Sequence, residues 1–292
     1  MTQIEINYSL SIVIPAKNEA EKLKGSLPRL LAVVVNAEVI VVNDGSTDHT
    51  LAICEQHGVT VVTHPYSKGN GAAIKTGAKS AKGEVIVFLD GDGQHKSEDI
   101  PRLLEKLATG YDLVAGARGK QSPADSFRAM ANGVYNWLSS AITGHNILDL
   151  TSGFRAVKAD KFKEFLYLLP NGFSYPTTST MAFFRAGYSV GYMPIQTGQR
   201  LGESHISLLK DGIRILLIIF KVGTLYSPLK IFLPIAAVFF GTGVLNYIYT
   251  YTTQGTFTNM SAVLLMTAII VFLIGLVSEQ VTALMYKDSD RD

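Results

Sequence analysis

Apolar positions fall in short runs through the first two hundred residues and in long runs after them. The sharpest short run is Val85–Leu89, Val-Ile-Val-Phe-Leu, which predicts a strand buried on both faces. Comparable β-rich runs occupy Leu10–Ile14, Val39–Val42, Val59–Val62, Asp112–Ala115 and Ser189–Ile195. Between them the pattern shifts to helical spacing. Helices are expected from Ala20 to about Val35, from a Ser46 or Thr47 cap to His57, through the small residues Ala72, Ala73, Gly77, Ala78 and Ala81, and over Glu98–Ala108 behind a Ser97 cap. Ser126–Thr143 and Thr177–Arg185 read as two more. Strands alternating with helices of this length imply right-handed βαβ units, hence an α/β domain with a mostly parallel sheet and helices on both faces.

The long runs change the picture. Ile231–Thr250 carries no charge and is long enough to cross ~30 Å of hydrocarbon. A second span, from about Met260 to Tyr286, contains only Glu279. Ahead of both, Ile206–Tyr226 sets Lys210, Asp211, Arg214 and Lys221 among Leu, Ile and Phe, the pattern of a helix lying at a bilayer surface. The expected division is a soluble domain over 1–205, an amphipathic juxtamembrane region over 206–228, and a hairpin of two membrane helices (about 231–250 and 260–286) within 229–292, ending in a short tail. Lys221 and Lys230 precede the hairpin, Lys287 and Arg291 follow it, and its loop Tyr251–Asn259 is uncharged. The positive-inside rule then puts both termini in the cytosol. Met1–Tyr8 offers no basic segment leading into an apolar one, so the soluble domain is expected to stay on the cytosolic side.

Composition excludes some classes. A hydrophobic content of 47% and a mean hydropathy of +0.22 fit a membrane-attached chain. A net charge of +2 with no interleaved basic and aromatic stripe argues against nucleic acid. The single cysteine, Cys54, sits in a helical pattern as a small buried hydrophobe, and one cysteine permits no internal disulfide.

Candidate chemistry collects at strand ends. The Val85–Leu89 run stops at Asp90-Gly91-Asp92-Gly93-Gln94, where two carboxylates and an amide oxygen suit a hard divalent cation holding a diphosphate; a polar turn would explain the two glycines equally well. Asn18 and Glu19 follow the first strand, Asp44 the second and Arg118 the fifth. In a parallel sheet these ends lie along one edge, which makes a site there. Arg128 and Asn132 lie one helical turn apart, and Asp149–Arg155 (Asp-Leu-Thr-Ser-Gly-Phe-Arg) is a turn-rich segment in which Asp149 and Arg155 are candidates for a structural pair.

Taken together, Ile-Val-Ile-Pro-Ala-Lys-Asn-Glu (12–19), Val-Asn-Asp-Gly-Ser-Thr-Asp (42–48), Lys-Gly-Asn-Gly-Ala-Ala (68–73), Asp-Gly-Asp-Gly-Gln (90–94), Gly-Ala-Arg (116–118) and the 149–155 segment resemble the dolichol-phosphate mannose synthase and polyprenyl-phosphate glycosyltransferase branch of glycosyltransferase family 2. The resemblance implies a GT-A, Rossmann-like domain that moves a sugar from a UDP- or GDP-linked donor to a polyprenyl phosphate, with inversion, at the inner (cytoplasmic) membrane. By position it assigns Pro15, Ala16, Asn18, Glu19, Asn43, Asp44, Gly69, Asp90 and Gly91 to the nucleotide sugar, and Asp90, Asp92 and Gln94 to Mg²⁺ or Mn²⁺. Asp92 and Arg118 become the catalytic pair, and Arg128, Asn132, Ser152 and Arg200 meet the acceptor phosphate. Asn132 stands where serine is common and His205 where lysine is common. Residues 172–181 find no counterpart, and the pattern is compatible with a homo-oligomer.

An attacking phosphate monoester is mostly dianionic at neutral pH, its second pKa being ~6, so no side-chain base is required. Two other readings share the early motifs. A processive polysaccharide synthase would carry a Gln-x-x-Arg-Trp acceptor motif and more spans, but the one tryptophan, Trp137, lies elsewhere. A non-catalytic membrane scaffold would have no need of Asp90, Asp92 and Gln94.

Overall fold

The computed structural model describes residues 8–91, 93, 95–118, 126–172, 174–196, 217, 220, 223–224 and 226–287, with backbone alone for 126–132 and 287. Seven strands form one sheet: β1 (Leu10–Ala16), β2 (Glu38–Asn43), β3 (Thr60–Thr63), β4 (Val85–Phe88), β5 (Leu113–Arg118), β6 (Arg155–Lys158) and β7 (Val190–Ile195). Their order is β3-β2-β1-β4-β6-β5-β7. All pairings are parallel except those of β6, which runs antiparallel between β4 and β5, with Phe88 opposite Arg155 and Ala115 opposite Arg155. The chain thus enters β6 at the edge where β4 and β5 leave the sheet.

The helices of this unit are α1 (Ala20–Val33), α2 (Thr50–Gln56), α3 (Asn70–Ser80), α4 (Ile100–Ala108), α5 (Ser126–Thr143), α6 (Ala159–Glu164) and α7 (Tyr175–Arg185); the last turns of α5 belong to the second unit. One sheet face joins Ile12, Ile14, Val39, Val41, Val87 and Val114 to Leu23, Leu27 and Leu30 of α1 and to Ile100, Leu103 and Leu107 of α4 in one apolar core. On the other face α3 lies so close that a Cβ on Gly77 would stand 2.2 Å from Val13 Cγ1. The small residues of α3 therefore serve close helix-on-sheet contact. Beside it, Phe88 packs on Phe162 at 4.7 Å and on Tyr175 at 6.0 Å between ring centroids.

Several expected boundaries move. The N-cap of α2 is His49 rather than Ser46 or Thr47, and the first helical amide, Thr50 N, donates to Asp48 Oδ1 at 3.0 Å. Ser97 opens a 3-10 turn over Ser97–Asp99, and α4 starts only at Ile100. Arg155, expected in a turn, is the first residue of β6. That strand and α6 have no apolar run to announce them, because Arg-Ala-Val-Lys is charged at both ends.

In the second unit, α8 (Leu229–Gln254) and α9 (Asn259–Lys287) are two helices long and apolar enough to cross a membrane. At 1.5 Å per residue each exceeds ~35 Å, so both run past the spans expected from the sequence. Pro234 lies inside α8 and Pro228 immediately before it. A Cβ on Gly275 would sit 2.6 Å from Phe232 Cβ, so a glycine permits close approach of the pair. At one end Glu279 Oε2 accepts from Ser227 Oγ at 3.0 Å and Leu229 N at 3.2 Å, closing the amino end of α8. At the other, Asn246 Oδ1 accepts from Ser261 Oγ at 2.8 Å, and Tyr247 packs on Tyr251 and Phe257. Of the amphipathic segment expected over 206–228, residues 217, 220, 223, 224 and 226 are helical and most of the remainder lies outside the described residues.

Candidate active site

The first two strand ends are sewn to each other by side chains. Asn18 takes a left-handed backbone, φ 55°, a conformation asparagine tolerates better than most residues. Its Oδ1 accepts from Thr47 N at 2.8 Å, while its own N–H donates to Ser46 Oγ at 3.0 Å. Asp48 Oδ2 accepts from Ala20 N at 3.1 Å, and Asn43 Oδ1 from Ser46 N at 3.0 Å. Pro15 is half-buried, Ala16 and Asn43 are buried, and Glu19 pairs with Lys22 at 2.7 Å.

Asp44 is 3% exposed and its carboxylate is saturated. Oδ1 lies 2.7 Å from His64 Nδ1 and accepts from Lys68 N at 2.8 Å; Oδ2 accepts from Ser67 Oγ at 2.8 Å and Gly69 N at 2.9 Å. Burial pushes its pKa up, but the hydrogen bonds from His64, the two amides and Ser67 outweigh that and hold it at about 2. Four donors fill the lone-pair sites of a carboxylate. Asp44 and Asn43 accordingly build the floor of the β1–β2 end.

The glycine-rich Lys68–Gly71 stretch is engaged as well. The amide of Gly71 donates to Gly172 O and that of Ala72 to Asn171 O, both at 3.0 Å, so the amino end of α3 is closed by another loop of the protein. Gly71 has no alternative: a Cβ there would stand 1.9 Å from Pro170 O.

Asp90 is different. It follows β4 with a side chain 34% exposed, and Gly91 sets it beside β1, since a Cβ at Gly91 would meet Pro15 O at 2.9 Å. His95 Nε2 lies 3.3 Å from Asp90 Oδ2, and the His95 ring, 8% exposed, stacks on Phe154 at 5.2 Å. On the other side the backbone of Gly153 lies flat against the carboxylate; a Cβ there would be 2.6 Å from Oδ2 and 2.8 Å from Oδ1.

Beyond Gly153 stands a charged pair. Arg118 donates from Nε to Asp149 Oδ2 at 2.7 Å, from Nη2 to Oδ1 at 3.0 Å, and from Nη2 to Thr151 Oγ1 at 2.6 Å. The hydrogen bonds to Asp149 raise the Arg118 pKa against burial, with a smaller contribution from the Asp90 charge. Burial raises that of Asp149, and Arg118 more than reverses it. Asp149 is therefore paired with Arg118; the expected pairing with Arg155 does not occur.

Asp90, Arg118 and Ser152 are thus brought to one edge, together with Asp149 and His95, which the sequence reading had not assigned to a site. Ser152 is 2% exposed and its Oγ has no partner among the described residues. Asp92, Gln94 and Arg200 lie outside the described residues, as does His205. Arg128 and Asn132 fall one turn apart on α5, where only backbone is described. The donor set at Asp90 is a partly exposed carboxylate, the hard oxygen ligand that Mg²⁺ or Mn²⁺ takes, and no group of three or more His, Cys, Asp or Glu converges among the described residues. The set fits such a cation as one corner of its coordination.

Comparison with known proteins agrees with this architecture. Residues 11–166 match the model of glycosyl transferase family 2, and residues 227–284 match that of the GtrB C-terminal hairpin. An undecaprenyl-phosphate mannosyltransferase of Micrococcus luteus is 32% identical over 210 residues, 67% of this chain and 86% of that protein. An undecaprenyl-phosphate 4-deoxy-4-formamido-L-arabinose transferase of Pseudomonas fluorescens is 32% identical over 60% of this chain, which spans only 56% of that relative's length. Among solved structures, glucosyl-3-phosphoglycerate synthase from Mycobacterium tuberculosis, crystallised with Mn²⁺, UDP and its product, superposes with a TM-score of 0.59 at 20% identity, over 74% of this chain and 80% of that one, a likeness of fold. With a GT-A sheet, an acid-bearing edge and a family match over more than half its length, the chain belongs to glycosyl transferase family 2.

Proposed function

We propose that the protein transfers a sugar from a nucleotide diphosphate donor to a polyprenyl phosphate, with inversion and with the help of a divalent cation, giving a lipid-linked monophosphate sugar. The observation that carries the reading is the partly exposed Asp90 carboxylate, set at a strand end between Pro15 at the end of β1 and the Arg118–Asp149 pair. Two relatives named as undecaprenyl-phosphate sugar transferases support the acceptor class, and the UDP and Mn²⁺ held by the structural neighbour support the donor class.

In this reading Asp90, with Asp92 and Gln94, holds Mg²⁺ or Mn²⁺. A bound cation of this kind supplies Lewis-acid neutralisation of charge on the departing diphosphate. Arg118, oriented by Asp149, presents its remaining N–H groups to the same anion. Pro15, Ala16, Asn18 and Glu19 line the nucleotide side, and Asn43, Asp44 and Gly69 fix that lining from below. Arg128, Asn132, Ser152 and Arg200 offset the charge of the acceptor phosphate, whose own dianion attacks the anomeric carbon. The two apolar helices anchor the chain in a bilayer, with the catalytic domain and both termini on the cytosolic side.

The test is incubation of the purified protein with Mn²⁺, a panel of UDP- and GDP-sugars and a short polyprenyl phosphate, with mass spectrometry for a lipid-linked sugar. One donor should be turned over, and Asp90→Ala or Asp92→Ala should abolish it. Full turnover by either variant overturns the reading.

A further inference from the structure

Arg155 is 0% exposed, and no carboxylate lies within ion-pair distance of it among the described residues. A guanidinium taken wholly out of water is costly unless its hydrogen bonds are made. Those that Arg155 makes go to neutral oxygens, Nη1 to Pro176 O at 2.9 Å, Ser179 Oγ at 2.8 Å and Thr180 Oγ1 at 3.2 Å, and Nη2 to Ser152 O at 2.5 Å, while its Nε has no partner among the described residues. Its charge also lies over the Tyr175 ring at 5.6 Å. Tyr175, 1% exposed, donates from its hydroxyl to the next carbonyl, Gly153 O, at 2.9 Å.

Two consecutive carbonyls, 152 and 153, are therefore held inward by two buried side chains. No peptide is cis among the described residues, and in a planar trans peptide the N–H points opposite to the C=O. The amides of Gly153 and Phe154 are turned away from Arg155 and Tyr175. The same glycine is the residue lying against both oxygens of Asp90.

We propose that Arg155 and Tyr175 are positioning residues, which fix the Ser152–Gly153 backbone as a rigid wall and through it set the Asp90 carboxylate for its cation. The proposal rests on the reading of Asp90 as a cation ligand. It accounts for a buried charge with no carboxylate in ion-pair contact among the described residues, because a guanidinium fork can tie the 152 carbonyl to three oxygens of α7 at once. It also accounts for Gly153, where any side chain would displace Asp90.

The test is Mn²⁺ binding by the full-length protein in detergent, without nucleotide, followed by the electron paramagnetic resonance of free Mn²⁺, with melting curves for each variant. Tyr175→Phe keeps the ring and removes one hydroxyl. Arg155→Lys keeps the charge and loses the fork. Both are expected to weaken Mn²⁺ binding ~10-fold, as loss of a supporting contact behind a metal ligand does, while remaining folded at the assay temperature. Gly153→Ala is expected to abolish binding. If Arg155→Lys does not fold, Tyr175→Phe decides. Wild-type affinity in Tyr175→Phe, even with a lowered melting temperature, overturns the proposal and leaves the two residues as structural. Asp90→Asn separates the levels: loss of Mn²⁺ there with normal binding in Tyr175→Phe sinks only the positioning role. Normal binding in Asp90→Asn, or none in the wild type, sinks the reading beneath it.

Discussion

The Arg118 guanidinium meets Asp149 at two points, Nε to Oδ2 at 2.7 Å and Nη2 to Oδ1 at 3.0 Å. A planar fork on a carboxylate fixes the guanidinium in both distance and plane, which a lysine at the same place would not achieve. Asp149 in turn is only 8% exposed at its side chain, so the orientation is set from inside the domain and offered outward.

Asp149→Asn is accordingly expected to cost more than one hydrogen bond. The amide presents one oxygen in place of two, so the fork is lost and Arg118 keeps only single hydrogen bonds, among them that to Thr151 Oγ1. Turnover should fall ~100-fold, as a misplacement of about 1 Å in a charged group can cause, and stability by roughly 1–3 kcal/mol. Steady-state rates and thermal melts check both; unchanged turnover would show that the orientation of Arg118 is immaterial.

Asp44 predicts a pH dependence. Its folded pKa of about 2 lies below an unfolded value of ~3.9. The stabilisation is present in full above the unfolded value and is lost as pH falls toward about 2. Asp44→Asn should lower stability at pH 7 by roughly 2 kcal/mol. The difference between wild type and variant should shrink when melts are repeated at about pH 3. A gap independent of pH would assign the effect to shape instead of charge.

Gly71→Ala tests whether the glycine-rich stretch serves packing or ligand. With Pro170 O at 1.9 Å from the new Cβ, the loop 170–172 must retreat from α3. A loss of roughly 1–3 kcal/mol is expected from the overpacking, with the KM for donor unchanged in the protein that remains folded. A raised KM with an unchanged melting temperature would place Gly71 at the nucleotide site.

Arg128→Ala and Arg200→Ala should raise the KM for the polyprenyl phosphate ~10- to 100-fold, the worth of one charge-assisted hydrogen bond. Donor affinity, measured by calorimetry with the nucleotide sugar alone, should hold. Equal loss of both would move the two arginines out of the acceptor site.

The parts of this fold that could be read in advance are those whose pattern is local. Val85–Leu89, the small-residue helix α3 and the two long apolar helices α8 and α9 each declare themselves by period or length. β6 was hidden because Arg155 and Lys158 bracket only two apolar residues, and its membership of the sheet rests on partners far away in sequence. The same holds within the site. Asp90 and Arg118 are legible as polar strand ends, whereas Asp149, His95, Arg155 and Tyr175 gain their roles from contacts that no spacing encodes. Asp44 reads from sequence as a polar strand end, and its saturation by four donors is not legible there, because the loop that covers it returns more than twenty residues later.

The antiparallel insertion of β6 also sets a timetable for synthesis. β4 is complete at Phe88, yet the strand that covers its outer edge begins at Arg155. While the intervening residues emerge from the ribosome, β4 presents an unpaired row of backbone groups flanked by apolar side chains, the kind of edge on which other chains add. The amino end of α3 waits longer still, for Asn171 and Gly172. The nascent domain is therefore most exposed to misassembly in the interval between completion of β4 and arrival of β6, and a chain truncated before Arg155 leaves that edge open for good.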